Sequence, residues 1–594
     1  MPTDLSSASK PGTLCEAFQA TAAKHPDAIA LRSLGDAATI TWRQYRQRVE
    51  AIASGLAKLG VGPGDTVSLM LTNRPEFHLC DTAVLHTGAT PFSIYNTNPP
   101  EMIGYLFDNA ENKIVICEKR FLPVVLAARN CGGKVEHVIC VDGSDDGAIS
   151  LAQLESDPAT DFDFETAWRS VKPDDVLTLV YTSGTTGPPK GVELTHRNFI
   201  VNAQIVDELG GAWPADRVIS YLPDAHAANR WFTHYLSILH GVQVTDLVDP
   251  KQLINALIEV RPTLLLGVPR VWIKLKSGLE AAVSEESTVK RALVNWAFGV
   301  GRTTARAASD GRRVGAADRI QHIAADRLVL SKLRAKVGLD QVRSAASGAA
   351  PIPVEVHEFI LSLGISLYEG YGMTECTAAA TINRPERMRI GTVGQAVPGS
   401  QIRIADDGEV LVRGANVMRG YRKDPEKTSA AIDSEHWLHT GDIGILDGDG
   451  YLTIVDRKKE LIINEAGKNM SPANIENAIA ANTPLAGPVA VIGDRRPYNT
   501  ALITLDPDML TNFAEKHGLA GQSPAQLAVD PAVQAAVEEG IEAANRTLSR
   551  VEQIKKFTIL PQPWEPGSEH LTPTGKLKRK PISASYAEEI EAMY

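Results

Sequence analysis

The chain has 594 residues, with 60 Lys and Arg against 71 Asp and Glu, for a net charge of -11. That length implies more than one core, and the acidic balance excludes a general nucleic-acid binder, which needs a basic surplus to displace counterions from phosphate. Cys15, Cys80, Cys117, Cys131, Cys140 and Cys376 form no Cys-x-x-Cys pair, which fits free thiols rather than a zinc site or a disulfide scaffold.

Residues 1–12 carry no basic-then-apolar leader, and no apolar run reaches spanning length, so the expected location is the cytoplasm. Through about residue 370, apolar runs at 67–71, 113–117, 137–141, 218–222 and 263–268 alternate with amphipathic stretches such as 45–59, closed by Gly60. The alternation predicts an α/β domain of mostly parallel sheets with flanking helices. One apolar run, 176–180, ends in Thr182-Ser183-Gly184-Thr185-Thr186-Gly187-Pro188-Pro189-Lys190-Gly191. Glycines let backbone N–H groups face an anion, four hydroxyls add donors and Lys190 adds a positive charge. A Walker A loop needs Ser or Thr after its lysine to hold magnesium, and here Gly191 follows Lys190. A different polyphosphate cradle, or a polar turn between two elements, remains.

Near residue 400 the rhythm becomes short strands and tight turns: 401–405 and 409–413 around Asp406-Asp407-Gly408, then 443–446 and 451–455 around Asp447-Gly448-Asp449-Gly450. These predict antiparallel hairpins forming a small barrel-like subdomain at about 376–455. The second turn lacks the later ligand of an EF-hand loop. After Asp456-Arg457-Lys458-Lys459 the pattern turns mixed α+β: Ser471-Pro472 opens a helix over 474–481, strands follow at 488–492 and 500–505, and a helix at 532–548. The expected division is 1–456 and a small mobile domain, 457–594.

Three further motifs carry nucleotide chemistry. Small residues in Ser347-Gly348-Ala349-Ala350-Pro351 let backbone approach a flat base. In Tyr368-Glu369-Gly370-Tyr371-Gly372-Met373-Thr374-Glu375 an aromatic can stack on adenine, while Thr374 and Glu375 offer a phosphate donor and a hard oxygen for magnesium. Trp437-Leu438-His439-Thr440-Gly441-Asp442 supplies a carboxylate for ribose hydroxyls. Singly, each also reads as an ordinary turn or strand.

Together, in this order, the motifs resemble those of the adenylate-forming superfamily of acyl-CoA synthetases, luciferases and adenylation domains. The resemblance runs from about residue 15 to 583 and takes in Arg457, Gly467 and Leu571-Thr572-Pro573-Thr574-Gly575-Lys576-Leu577-Lys578-Arg579-Lys580. It implies ATP, Mg2+ and CoA. Thr182, Ser183, Gly184, Thr185, Thr186, Gly187 and Lys190 would hold phosphates, and Glu375 with Thr185 the metal. Gly348, Ala349, Ala350, Pro351, Glu369, Gly370, Tyr371, Gly372, Thr374 and Ile454 would surround the nucleotide, and Asp442 and Arg457 would bind ribose. Lys576, Glu375, Thr185 and His226 form the implied catalytic set. The C-terminal domain would turn about Asp456 between half-reactions, withdrawing Lys576 and presenting Gly467 and Lys468 to the thiol.

Within the superfamily the chain is similar to bacterial long-chain fatty acyl-CoA synthetases, through Tyr221-Leu222-Pro223-Asp224-Ala225-His226, Gly267-Val268-Pro269-Arg270-Val271-Trp272, Gly391-Thr392-Val393-Gly394 and the long stretch from Arg270 to Ser344. The similarity implies an acyl pocket at His226, Arg230 and Gly267; a packing histidine is the other reading of His226. Two positions depart from the pattern: Asn229, where long-chain relatives commonly carry Glu, and Glu465, where small residues are usual beside the thiol. Residues 281–343 hold 12 Lys or Arg against 6 acidic residues, either a solvated helical face or a contact with the inner membrane surface. The alternatives to a CoA ligase are a fatty acyl-AMP ligase serving a carrier protein and an inactive nucleotide or lipid sensor. Intact Lys190, Glu375 and Lys576 oppose the sensor.

Overall fold

A computed structural model describes residues 11–144, 147–182, 188–385, 387–465 and 469–594. Its N-terminal part is built on two large sheets. The eight-stranded sheet runs Gly420–Tyr421, Lys190–Thr195, Val176–Thr182, Thr90–Ser93, Thr66–Met70, Asn112–Cys117, His137–Cys140 and Ile149–Ser150. Strands from Val176–Thr182 to the far edge pair in parallel, and Thr66–Met70 is buried at every position, as a strand covered by helices on both faces must be. Helix Pro75–His86 packs on Thr66–Met70 and Thr90–Ser93, and helix Trp42–Lys58 packs on that helix, its N-terminus fixed by a Thr41/Gln44 capping box, with Gly60 just beyond it at φ +77°.

The five-stranded sheet places Leu264–Gly267, Ser344–Ser347 and Leu367–Tyr371 in parallel, then Thr381–Ile382 and Gln395–Ala396 antiparallel. Its register sets Gly267, Ser347 and Glu369 side by side at the carboxyl ends, where open α/β sheets bind ligands. A four-stranded antiparallel sheet follows: Ser400–Ile404, Glu409–Gly414, Leu438–Leu446 and Leu452–Arg457. The strand expected at 443–446 is thus nine residues long. Burial alternates through its first half, but the inward positions after Leu438 are Thr440, Asp442 and Gly444, so no hydrophobic alternation appears in the sequence there.

The C-terminal segment has its own core, in which Ile475, Ile479, Ile503, Val533 and Val537 pack together. Strands Ala486–Ile492, Asn499–Leu505 and Ile554–Ile559 carry helices Pro472–Asn482 and Pro531–Thr547, with Ser471 as N-cap. Polar contacts join it to the larger part: Arg270 to Asp506 at 2.8 Å, Lys274 to Asp508 at 2.9 Å and Lys516 to Glu285 at 2.9 Å. Such an interface permits relative motion more readily than an apolar one. The α/β architecture, antiparallel subdomain and separate C-terminal domain agree with the sequence expectation. Among the described residues no helix is long and apolar enough to cross a membrane.

Candidate active site

Thr182 and Lys190 are register partners, so the glycine-hydroxyl loop closes between adjacent antiparallel strands. Ser183, Gly184, Thr185, Thr186 and Gly187 lie outside the described residues. The Lys190 ammonium stands 4.6 Å from the centroid of the Tyr421 ring, and the Tyr421 hydroxyl donates to Glu375 Oε1 at 2.9 Å. Tyr421, which no sequence motif singled out, therefore joins the end of the phosphate loop to the carboxylate expected to serve magnesium. It belongs to a two-residue strand paired with Lys190–Thr195, too short to show a periodic signal.

Glu375, 7% exposed, sits on the 3-10 turn Thr374–Cys376. Two left-handed non-glycine residues follow, Thr377 at φ +56° and Ala378 at φ +70°. They are held by Thr377 N–H to Thr374 O at 3.0 Å, Ala378 N–H to Met373 O at 3.1 Å, and the Thr377 hydroxyl to Asn416 O at 2.7 Å. Strain of this kind persists only where surrounding bonds over-determine it. A Cβ at Gly372 would lie 2.2 Å from Ala378 O, so the turn can form only with glycine there.

The next wall is built from the strand ends at 371 and 457 and from the middle of the strand Leu438–Leu446 at 442. Tyr371 donates to Asp442 Oδ2 at 2.6 Å, and the Arg457 guanidinium approaches Asp442 Oδ1 at 3.4 Å. Burial raises the Asp442 carboxyl above the usual range, with Arg457 and Tyr371 opposing the rise. Ile454 packs in the same small apolar cluster as Tyr371. Behind this wall, Gly348 comes close to Gly370 O, and Ala349 takes φ +69°, leaving Ala350 and Pro351 exposed. Glu369 departs from the expected ligand role. Its carboxylate is buried beneath the turn, accepts from the Ile352 N–H at 3.2 Å and is pushed by desolvation to about 7. The side chain props the turn rather than reaching across it.

Lys576 comes from the C-terminal domain, in a turn closed by Thr572 N–H to Lys576 O at 2.8 Å and Lys576 N–H to Thr572 Oγ1 at 3.0 Å. The residue is exposed at the cleft mouth, yet the surrounding protein, and then Arg457, pull its ammonium below the ordinary lysine range. Asp442, Glu460 and Glu375 oppose that shift. Burial holds the His226 imidazole down at about 4, and the Lys576 charge adds to the effect. The charges of Glu375, Asp442 and Arg457 thus act on Lys576, and that of Lys576 on His226, although these residues are spread over 350 positions of sequence.

His226 Nδ1 accepts from the Ala228 N–H at 3.1 Å and caps the turn Ala227–Asn229, which runs into the π-helical Arg230–Tyr235. Arg230 does not line a pocket. At 1% exposure its guanidinium is spent on Asp81, on the Ser93 hydroxyl at 2.8 Å and on Tyr235 at 3.0 Å. Against a burial that would raise it, Arg230 and His234 hold the Asp81 carboxyl below its usual range. The network continues from His234 to His78 at 2.9 Å and from His78 to Asp246 at 3.0 Å. Asn229 donates to Asp224 Oδ1 at 2.7 Å and to Ser220 at 3.0 Å. Burial lifts the Asp224 carboxyl to about 7, so a glutamate at 229 would set a second acid against it. Gly267 leaves room for Trp272, whose indole would lie 2.6 Å from a Cβ there.

At the expected hinge, Asp456 Oδ2 accepts from the Ser471 hydroxyl and from the Ala473 N–H at 3.3 Å, so it reaches the first turn of the C-terminal helix. Gly467 and Lys468 lie outside the described residues. Glu465 is exposed, its N–H donating to Arg496 O at 3.3 Å. Asp447 and Asp449 both pair with Arg389.

Residues 18–422 match the family model described as AMP-binding enzyme, and 459–594 the one described as AMP-binding enzyme C-terminal domain. The putative fatty-acid–CoA ligase fadD11 of Mycobacterium tuberculosis is 51% identical over 450 residues, covering 75% of this chain and 79% of the relative. The long-chain-fatty-acid–CoA ligase FadD15 of the same species is 34% identical over 590 residues, covering 96% and 95%. Among solved structures, the anthranilate CoA ligase AuaEII in complex with anthranoyl-AMP superposes with a TM-score of 0.73 at 18% identity, covering 98% of this chain and 99% of the other. With both of its parts matched, the chain belongs to the AMP-binding enzyme family.

Proposed function

We propose that the protein is a long-chain fatty acid–CoA ligase that activates its acid as an acyl-AMP. The observation that supports this reading is that the charge of Lys576, in the C-terminal segment, interacts with Glu375, Asp442 and His226 of the larger part. The names of FadD11 and FadD15 support the choice of acid.

In the first step a carboxylate oxygen attacks the α-phosphorus of ATP, the bond to the β-phosphate oxygen breaks and pyrophosphate leaves. Negative charge gathers at the α-phosphate, and Lys576 and Lys190 supply fixed positive charge. Asp442 accepts from the ribose and Arg457 orients Asp442, while the turn 348–351 and Tyr371 enclose the base. Among the described residues no cluster of three metal-ligating side chains occurs. A single buried carboxylate, Glu375, suits Mg2+, which takes one or two protein oxygens plus phosphates and water, and the Thr185 hydroxyl would be the second protein oxygen. When bound, Mg2+ would neutralise phosphate charge. In the second step the thiol of CoA loses its proton to solvent and attacks the acyl carbon, expelling AMP. We assign Asp456 as the hinge between domains 1–456 and 457–594, with Gly467 and Lys468 moving to the thiol path as Lys576 withdraws.

Incubation with ATP, Mg2+ and a chain-length panel of acids, with and without CoA, tests the assignment. Acyl-CoA and AMP are expected. Acyl-AMP accumulating whether or not CoA is present would instead identify an acyl-AMP ligase, and no pyrophosphate with any acid would refute catalysis. Lys576→Ala should lose adenylate formation by at least about a hundredfold, in the range for removing a charge-stabilising donor, while still converting supplied acyl-AMP to thioester. Equal loss of both steps in a folded variant would contradict the moving-lysine assignment.

A further inference from the structure

The helical extension over residues 269–336 carries two outward faces that the active site does not use. In helix Thr288–Ser309, Val289, Leu293 and Trp296 form one stripe at spacings of four and three, exposed by 79, 43 and 38%. The same helix faces the protein through other residues: a Cβ at Gly301 would meet Ser362 O at 2.1 Å, and Phe298 stacks on Phe359 with ring centroids 4.7 Å apart. In helix Ala316–Ala325 and the turn beyond it, Arg319, Ile320, Ile323 and Arg327 recur at one, four and eight residues, opposite the buried Ala325. Ile320 is 69% and Ile323 47% exposed, and Leu328 adds another exposed apolar side chain.

Charge separates this surface from an ordinary solvated helix. Some basic side chains on the extension are paired, as Arg306 is with Glu358 and Arg334 with Asp326. Arg313, Arg319 and Arg327 are exposed and, among the described residues, have no carboxylate partner, although the whole chain carries a net charge of -11. At the open end between the two helices Thr304, Arg313, Arg319 and His322 line a cavity of about 450 Å³, large enough for a phosphate-bearing headgroup. Exposed isoleucines and leucine interleaved with unpaired arginines match a bilayer interface, where apolar tips enter the acyl boundary and cations meet anionic headgroups.

We propose that residues 288–328 dock the protein on the surface of an anionic phospholipid bilayer, with Ile320, Ile323 and Leu328 inserting and Arg313, Arg319 and Arg327 binding headgroup phosphates. The surface stands on exposure and charge; its purpose, taking a long-chain acid from the bilayer, rests on the ligase reading. Co-sedimentation without ATP or acid separates the two. Wild-type protein should pellet with phosphatidylglycerol–phosphatidylcholine vesicles, weakly with phosphatidylcholine alone, and less as salt rises. The Arg313→Glu/Arg319→Glu/Arg327→Glu and Ile320→Ser/Ile323→Ser variants should each lose at least about tenfold in partitioning, since each cation near such a surface contributes about a factor of five. Both should keep the wild-type melting temperature and turnover of a short, water-soluble acid. No pelleting, equal pelleting on both lipids, or wild-type binding by both variants would overturn the proposal. So would self-association, by sedimentation velocity, that the isoleucine variant abolishes while vesicle binding is absent. If serine at 320 and 323 lowers the melting temperature, the arginine variant alone decides.

Discussion

Tyr421→Phe isolates a single hydrogen bond at the proposed metal-binding carboxylate. The phenol donates to Glu375 Oε1 at 2.9 Å, while the ring face carries the Lys190 ammonium 4.6 Å from its centroid. Phenylalanine keeps the ring, and hence the lysine contact, and removes only the donor. Glu375 is 7% exposed, so water cannot fully replace the lost partner. A hydrogen bond to an ionised group contributes about 1.5–3 kcal/mol, which corresponds to a loss of about ten- to a hundredfold in kcat/KM if the carboxylate must be held for nucleotide activation. The assay is pyrophosphate release at saturating acid, with ATP and Mg2+ varied independently. The deficit should shrink as Mg2+ is raised, because the damaged group is the one assigned to the metal. Tyr421→Leu should lose more, having surrendered the face that positions Lys190 as well. Unchanged kcat/KM and Mg2+ dependence in a folded Tyr421→Phe protein would refute the assignment of Tyr421 as a positioning residue between the phosphate loop and Glu375.

Asn229→Glu should destabilise the fold by about 3–5 kcal/mol at neutral pH, the range for an uncompensated buried charge, read as a lower urea midpoint that recovers partly toward pH 5; a neutral effect would show that Asn229 does not adapt the turn to Asp224. Asp224→Asn retains an acceptor for Asn229 and removes a carboxyl whose folded value lies at about 7, above its ordinary 3.8. With the folded state holding the proton more tightly, ionisation of Asp224 costs stability increasingly from about pH 4 to 7 and by a constant amount above. The stability gained by the variant over wild type should therefore grow across that window and then level off. A gain that is constant with pH would contradict the raised value.

How much of this was legible in the sequence follows from how each group is held. Glu375 and Lys576 sit in local turns, and Lys190 and Asp442 on strands beside glycines and hydroxyls; where the backbone itself needs such residues, as Gly372 shows by approaching Ala378 O, they leave a contiguous pattern. Tyr421 left none, because its role arises from pairing a two-residue strand with residues more than 200 positions earlier. Arg230 was misplaced for the complementary reason. The similarity to long-chain synthetases implied a pocket shared with His226, but the π-helical turn at Arg230–Tyr235 rotates its side chain inward to Asp81, about 150 residues away. The burial of Asp81, His78, His234 and Asp246 rewards that rotation, since each unpaired polar group there would be costly. None of those partners forms a motif with another. The consequence is a division of labour around His226: a polar network beneath the turn fixes its backbone, while Lys576 arrives from the other domain above it. Substitutions in the network should accordingly disturb folding and acid positioning together, whereas loss of Lys576 should disturb chemistry alone.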